Sequence, residues 1–167
     1  MTIIRRCILT FLFLIVSAMF SHAMDSMALM KNPLLGKTAP DFTLNTLEGE
    51  KNFTQFRDGK RAIIFFWATW CPHCREALED LKKRKDDFAQ KDIKLVLVDV
   101  GEKAEEVRSH FKEEGIQFNV FLDENSSVSD IYKIIGVPTF FFVNASRVIQ
   151  DVQYEIPNNY EEILNKP

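Results

Sequence analysis

The chain has 167 residues, 46% of them hydrophobic and 27% charged, with a formal charge of −3. That length suits one domain with a buried core. The charge balance, with no basic patch, argues against nucleic-acid binding.

Arg5 and Arg6 precede an apolar run over residues 7–16, and Ser21-His22-Ala23 follows it. Basic, apolar, then small-x-small is the pattern of a secretory signal peptide. The run is too short to span a bilayer comfortably. We expect residues 1–23 to be a signal peptide cleaved after Ala23, with Ala18 as the alternative site. The chain is then exported, to the periplasm; an uncleaved segment would instead leave it membrane-anchored. Residues 24–33 read as a linker and 34–167 as the folded domain. Cleavage removes Cys7 and leaves Cys71 and Cys74 as the only cysteines, in an oxidising compartment.

Residues 41–47 and 51–56 read as a hairpin around Glu48-Gly49-Glu50. Residues 61–67 form a strongly apolar strand. Residues 74–91 carry Ala77, Leu78, Leu81 and Phe88 at helical spacing. A strand at 93–100 and a helix at 103–114 follow, the helix stopped by Gly115. After a short strand at 118–122, Asn125 or Ser126 caps a helix running to Ile135, with Val128, Ile131, Tyr132 and Ile135 facing inward. Residues 139–143 and 148–154 make a second hairpin, and 159–164 a last helix. The alternation predicts an α/β fold, a central mixed β-sheet flanked by helices. Runs such as Phe65-Phe66 and Phe140-Phe141-Phe142 suit strands buried on both faces.

The stretch FFWATWCPHCRE, residues 65–76, carries the chemistry. It places Cys71 where a strand ends and a helix begins. Unpaired N–H groups and the helix dipole stabilise an anion there, and the thiolate is the nucleophile of disulfide exchange. Cys71 is therefore the attacking thiol and Cys74, one turn inside, the resolving one. Pro72 fits the first helical turn, where its missing N–H costs nothing. His73 sets an imidazole beside the thiolate; stabilising the reduced form makes the pair a stronger oxidant. A purely structural bridge across so small a loop gains little entropy. Zinc needs four ligands, usually two such pairs, and haem attachment needs His where Arg75 stands. No metal and no dissociable cofactor are expected, since the redox group is the disulfide itself.

Trp67-Ala68-Thr69-Trp70-Cys71-Pro72-His73-Cys74 resembles the active site of the thioredoxin superfamily, and Val137-Pro138-Thr139 resembles its cis-proline loop. The resemblance implies a thioredoxin fold in which Pro138 shapes the substrate site and Val137 offers main-chain hydrogen bonds. Trp70 and Thr139 then join them as substrate-binding residues. Residues 36–44 (GKTAPDFTL) and Val98-Asp99-Val100-Gly101-Glu102 resemble the exported TlpA/ResA-like, AhpC-TSA-related branch. So does the helix-strand insert at 103–122, and the resemblance as a whole covers about residues 34–155. It implies a thiol:disulfide oxidoreductase with protein thiol or disulfide substrates and a redox partner that recharges the disulfide.

Three departures qualify the likeness. Phe65 stands where thioredoxins have a buried Asp that accepts a proton from the inner cysteine. Ala77 stands where many TlpA/ResA-like proteins have Glu. Pro72-His73 resembles the dipeptide of DsbA-type oxidants. The scaffold points to a reductase of the cytochrome-maturation type and the dipeptide to an oxidant, so the direction of electron flow stays open. Two alternatives are a peroxiredoxin-like peroxidase and a non-catalytic client-binding assembly factor. The first lacks the peroxidatic pattern, with Ile64 and Ala68 at its Pro and Thr positions. Asn52, Asn125 and Asn144 head glycosylation patterns that matter only in a eukaryotic secretory route.

Overall fold

A computed structural model describes residues 31–166. The expected signal peptide, Cys7 and all but the last residues of the linker lie outside the described residues. Among the described residues seven strands and five helices follow one another: β1 Thr43–Thr46, β2 Gly49–Asn52, α1 Phe53–Arg57, β3 Arg61–Trp67, α2 Pro72–Gln90, β4 Ile93–Val100, α3 Ala104–Glu113, β5 Val120–Asp123, α4 Ser127–Ile131, β6 Thr139–Val143, β7 Ile149–Gln153 and α5 Tyr160–Leu164.

All seven strands join one mixed sheet in the order β2-β1-β5-β4-β3-β6-β7. The β3–β4 and β4–β5 pairs are parallel and the rest antiparallel. This is the thioredoxin fold expected from the sequence. The helix-strand insert becomes α3 and β5, and β5 links the N-terminal hairpin to the central strands.

The phenylalanine runs sit as their chemistry requires. Along β3 and β6 successive side chains enter cores on opposite faces. Ile63, Phe65, Trp67, Phe140 and Phe142 pack with α2 and α3 on one face. Ile64, Phe66, Phe141 and Val143 pack on the other, with Phe42, Phe53 and Tyr132. The Phe65 and Phe140 rings stack at 4.3 Å between centroids. β3 and β6 are thus closed to solvent from above and below.

Two expected elements change. The second arm of the first hairpin stops at Asn52, and 53–57 is a short helix, not a strand. Asn52 supplies the reason, because its side chain accepts from the Gln55 N–H at 3.0 Å and caps the helix. The hairpin turn itself falls at Leu47-Glu48, with Gly49 at φ 118 opening β2.

The helix expected to reach Ile135 ends at Ile131. Lys133 adopts φ 57 and turns the chain away. Val128 and Tyr132 are buried as expected, but Ile131 and Ile135 are exposed. Neither Asn125 nor Ser126 supplies the main cap. Buried Asp123 does, accepting from the Val128 and Ser129 N–H groups and the Ser129 hydroxyl.

Candidate active site

Buried β3 ends at Trp67, and the chain turns through 68–71 before α2 begins at Pro72. The turn is closed by the Cys71 N–H donating to the Ala68 carbonyl at 3.2 Å. Cys71 is the N-cap of α2, in extended conformation, and Pro72 takes the first helical position. The helix therefore starts at the junction expected from the sequence, with Cys71 at its N-terminal end and the proline's fixed φ in its first turn.

Cys71 and Cys74 are joined in a disulfide, with Cα atoms 5.2 Å apart. The Cys71 sulfur accepts the Cys74 N–H at 3.2 Å. An N-cap side chain ordinarily satisfies such an orphan donor through oxygen; here sulfur does. The same contact would stabilise a thiolate on Cys71 after reduction. Cys74 is fully enclosed and Cys71 nearly so.

The loop before β6 comes to the same place. The Val137–Pro138 peptide is cis, and the Val137 carbonyl oxygen lies 3.6 Å from the Cys71 sulfur. Thr139 is buried, its hydroxyl donating to the Gly136 carbonyl at 2.7 Å, so it holds the loop's shape. Trp70, beside Cys71, is 66% exposed, while Trp67 is fully buried against Phe111. His73 lies mostly in solvent with its Nδ1 3.2 Å from a Glu76 carboxylate oxygen. A cleft of about 430 Å³ opens beside this cluster, lined by His73, Ala77, Pro138, Phe140, Tyr154 and Glu155 among others. The tertiary fold therefore brings together Trp70, Cys71, Pro72, His73 and Cys74 with Val137, Pro138 and Thr139, over a gap of more than sixty residues.

Two acids that sequence reasoning did not place at the site stand behind it. Glu102 is buried, and its carboxylate accepts the Thr69 N–H at 2.6 Å and the Thr69 hydroxyl. Asp99, fully buried, is the β4 register partner of Trp67. Burial first, and then the adjoining Glu102 carboxyl, push Asp99 up to about 9, so it is a neutral acid at pH 7. The only sequence signal was the stretch Val98–Glu102, which carried a family likeness but no role.

The family described as the AhpC/TSA family matches residues 35–152. Over 120 residues the chain is 35% identical to the thioredoxin-like protein YneN of Bacillus subtilis, covering 70% of this chain and 69% of that protein. It is 28% identical over 134 residues to the thiol-disulfide oxidoreductase ResA of Bacillus thuringiensis, covering 79% of this chain and 78% of the relative. Among solved structures it is similar to StoA from Bacillus subtilis, at 26% identity and TM-score 0.62, over 75% of this chain and 94% of that one.

Proposed function

This chain belongs to the AhpC/TSA family, and we propose that it is an exported thiol–disulfide oxidoreductase exchanging its Cys71–Cys74 disulfide with cysteines of client proteins. The observation that carries this reading is the disulfide itself. It caps a helix N-terminus, with the cis-proline loop 3.6 Å from the outer sulfur.

In the oxidising direction a client thiolate attacks the Cys71 sulfur. The Cys71–Cys74 bond breaks and Cys74 leaves as a thiolate that takes up a proton. A second client thiolate then attacks the client sulfur of the mixed disulfide, and Cys71 leaves as a thiolate. Two electrons have moved from client to chain; the client thiols shed their protons to solvent, Cys74 takes one up, and Cys71 is left as the thiolate. In the reducing direction the Cys71 thiolate attacks a client disulfide, and Cys74 resolves the mixed disulfide by attacking Cys71. Either way the departing or attacking Cys71 thiolate is held by the Cys74 N–H. His73, at the same helix start, tunes its charge. Pro138 and the Val137 backbone shape the face a client meets.

Exposed apolar groups support a polypeptide client. Trp70 adjoins Cys71, Ile135 precedes Val137 by two residues and is 87% exposed, and Tyr154 lines the neighbouring cleft. Large exposed apolar groups around a reactive centre mark an interaction surface. Peroxidase chemistry lacks such support. Thr69, one position from the missing peroxidatic threonine, donates its hydroxyl to Glu102.

The test uses insulin disulfide reduction with dithiothreitol as electron source. Wild type should accelerate it, and Cys71→Ser should abolish the effect. Cys74→Ser should accumulate a mixed disulfide with client. Undiminished turnover by Cys71→Ser would overturn the reading. Client capture by a catalytically silent wild type would establish the assembly-factor alternative instead.

A further inference from the structure

Glu102 is an acid with no place in the exchange steps, yet it is buried and hydrogen-bonded to the turn that presents the attacking cysteine. It follows Gly101, whose φ of 80 turns the chain out of β4 and whose N–H donates to the Asp123 carbonyl. This turn delivers the carboxylate across to Thr69, two residues ahead of Cys71. Thr69 is then held on several sides. Its N–H and hydroxyl go to Glu102, and its carbonyl accepts from Arg75 at 3.5 Å.

A buried carboxylate is costly unless charge-assisted hydrogen bonds satisfy it. A neutral side chain could close a loop without that cost. Other buried polar groups adjoin it. Asp99 of β4 lies against Glu102, and two adjoining buried carboxyls do not both ionise. Glu106 of α3 adds a further negative charge. Trp67 Nε1 from β3 and His110 Nε2 from α3 are buried in the same core, each without a hydrogen-bond partner among the described residues. Both Asp99 carboxyl oxygens are likewise buried without a hydrogen-bond partner among the described residues, and burial favours the protonated form of that acid.

We propose that Glu102, backed by Asp99, is a positioning residue for disulfide exchange. It ties down the turn ahead of Cys71 and so fixes the Trp70 indole and the Cys71 sulfur where a client cysteine meets them. The inference rests on the oxidoreductase reading. It assigns specificity and rate to a pair of acids outside the Cys-x-x-Cys motif.

The experiment measures the second-order rate of the reduced chain with 5,5′-dithiobis(2-nitrobenzoate), and KM and kcat in insulin reduction. It is run well below the melting temperature of each variant. Glu102→Ala should lower both the rate and kcat/KM about tenfold, since small misplacements of reacting groups cost that much or more. Glu102→Gln can accept from the Thr69 N–H and donate to its hydroxyl oxygen, and should recover all but about threefold. Thr69→Ala added to Glu102→Ala should cost no more than Glu102→Ala alone, as one coupled unit predicts. A folded Glu102→Ala with wild-type rate and kcat/KM would overturn the proposal. So would a Glu102→Gln as impaired as Glu102→Ala, or losses that track only the melting temperature. A wild type that is itself inactive would instead overturn the oxidoreductase reading, so the two failures are distinguishable.

Discussion

His73 and Asp99 each carry a test at the scale of a single group. The His73 imidazole stands at the start of α2 with its Nδ1 3.2 Å from a Glu76 carboxylate oxygen. In the proposed tuning role this imidazole favours the Cys71 thiolate and hence the reduced form. His73→Ala should therefore make the pair less oxidising by about 30 mV or more, the equivalent of roughly 1.4 kcal/mol; equilibration in glutathione buffers with thiol trapping checks it. The wild-type value from the same measurement sets the direction of electron flow. A potential at the oxidising end assigns disulfide donation, and one near or below that of thioredoxin assigns reduction of exported thiols.

Asp99 carries a second, independent consequence. Its folded-state pKa is raised to about 9, against about 3.9 for a free Asp. The folded state thus favours the protonated form. The contribution to stability is whole below pH about 4, shrinks as the unfolded chain ionises, and is lost as pH rises through 9. Asp99→Asn removes that slope while keeping a donor beside Glu102. Its melting temperature relative to wild type should be higher at pH 8 than at pH 4.5, and a difference that stays constant between the two would refute it.

At the scale of elements, two caps decide where short helices lie. Buried Asp123 accepts two N–H groups and a hydroxyl at the start of α4. Asp123→Ala leaves these donors buried and unmade, and should destabilise the fold by about 3 kcal/mol or more. Asn52→Ala, at the more exposed start of α1, should cost about 1 kcal/mol. Urea denaturation of both variants gives the ordering. α4 also leads into the cis-proline loop, ending five residues before Gly136. Asp123→Ala should therefore slow exchange as well as weaken the fold, whereas Asn52→Ala should leave exchange at the wild-type rate.

The described residues form a sheet closed on both faces, with the redox site at the end of its central strand β3. Phe65 occupies the position where a buried acid would sit beneath the inner cysteine, and it stacks on Phe140 in the core below Cys71 and Cys74. Phe65→Ala should cost about 3–5 kcal/mol, read by thermal melting, for it removes packing that joins two buried strands. The proposed export is tested on the entire chain. Intact mass of the protein recovered from the exported fraction should begin at Met24; a mass retaining residues 1–23 would place the protein at the membrane.

Most of the fold was legible from periodicity alone. Strands 61–67 and 93–100 are apolar apart from Arg61, Lys94 and Asp99 because both faces are covered, and the 3.6-residue spacing of Leu78, Leu81 and Phe88 needs nothing beyond one buried face. The Cys-x-x-Cys pair at a strand-to-helix junction was legible for the same local reason, since capping and the helix dipole act within one turn. What failed were short elements whose ends depend on distant or unrecognised partners. The span 53–57 is helical because Asn52 caps it, and 132–135 leaves the helix because Lys133 adopts a left-handed conformation. The acids behind the site were hidden altogether. Asp99 and Glu102 read as ordinary polar residues until parallel pairing of β3 with β4 sets Asp99 beside Trp67 and the Gly101 turn carries Glu102 to Thr69. The sequence by itself determined the sheet, its helices and the redox pair, through patterns local to each segment. Only the tertiary structure decided which buried charges and which loop meet that pair, because burial and charge pairing are properties of neighbours distant along the chain.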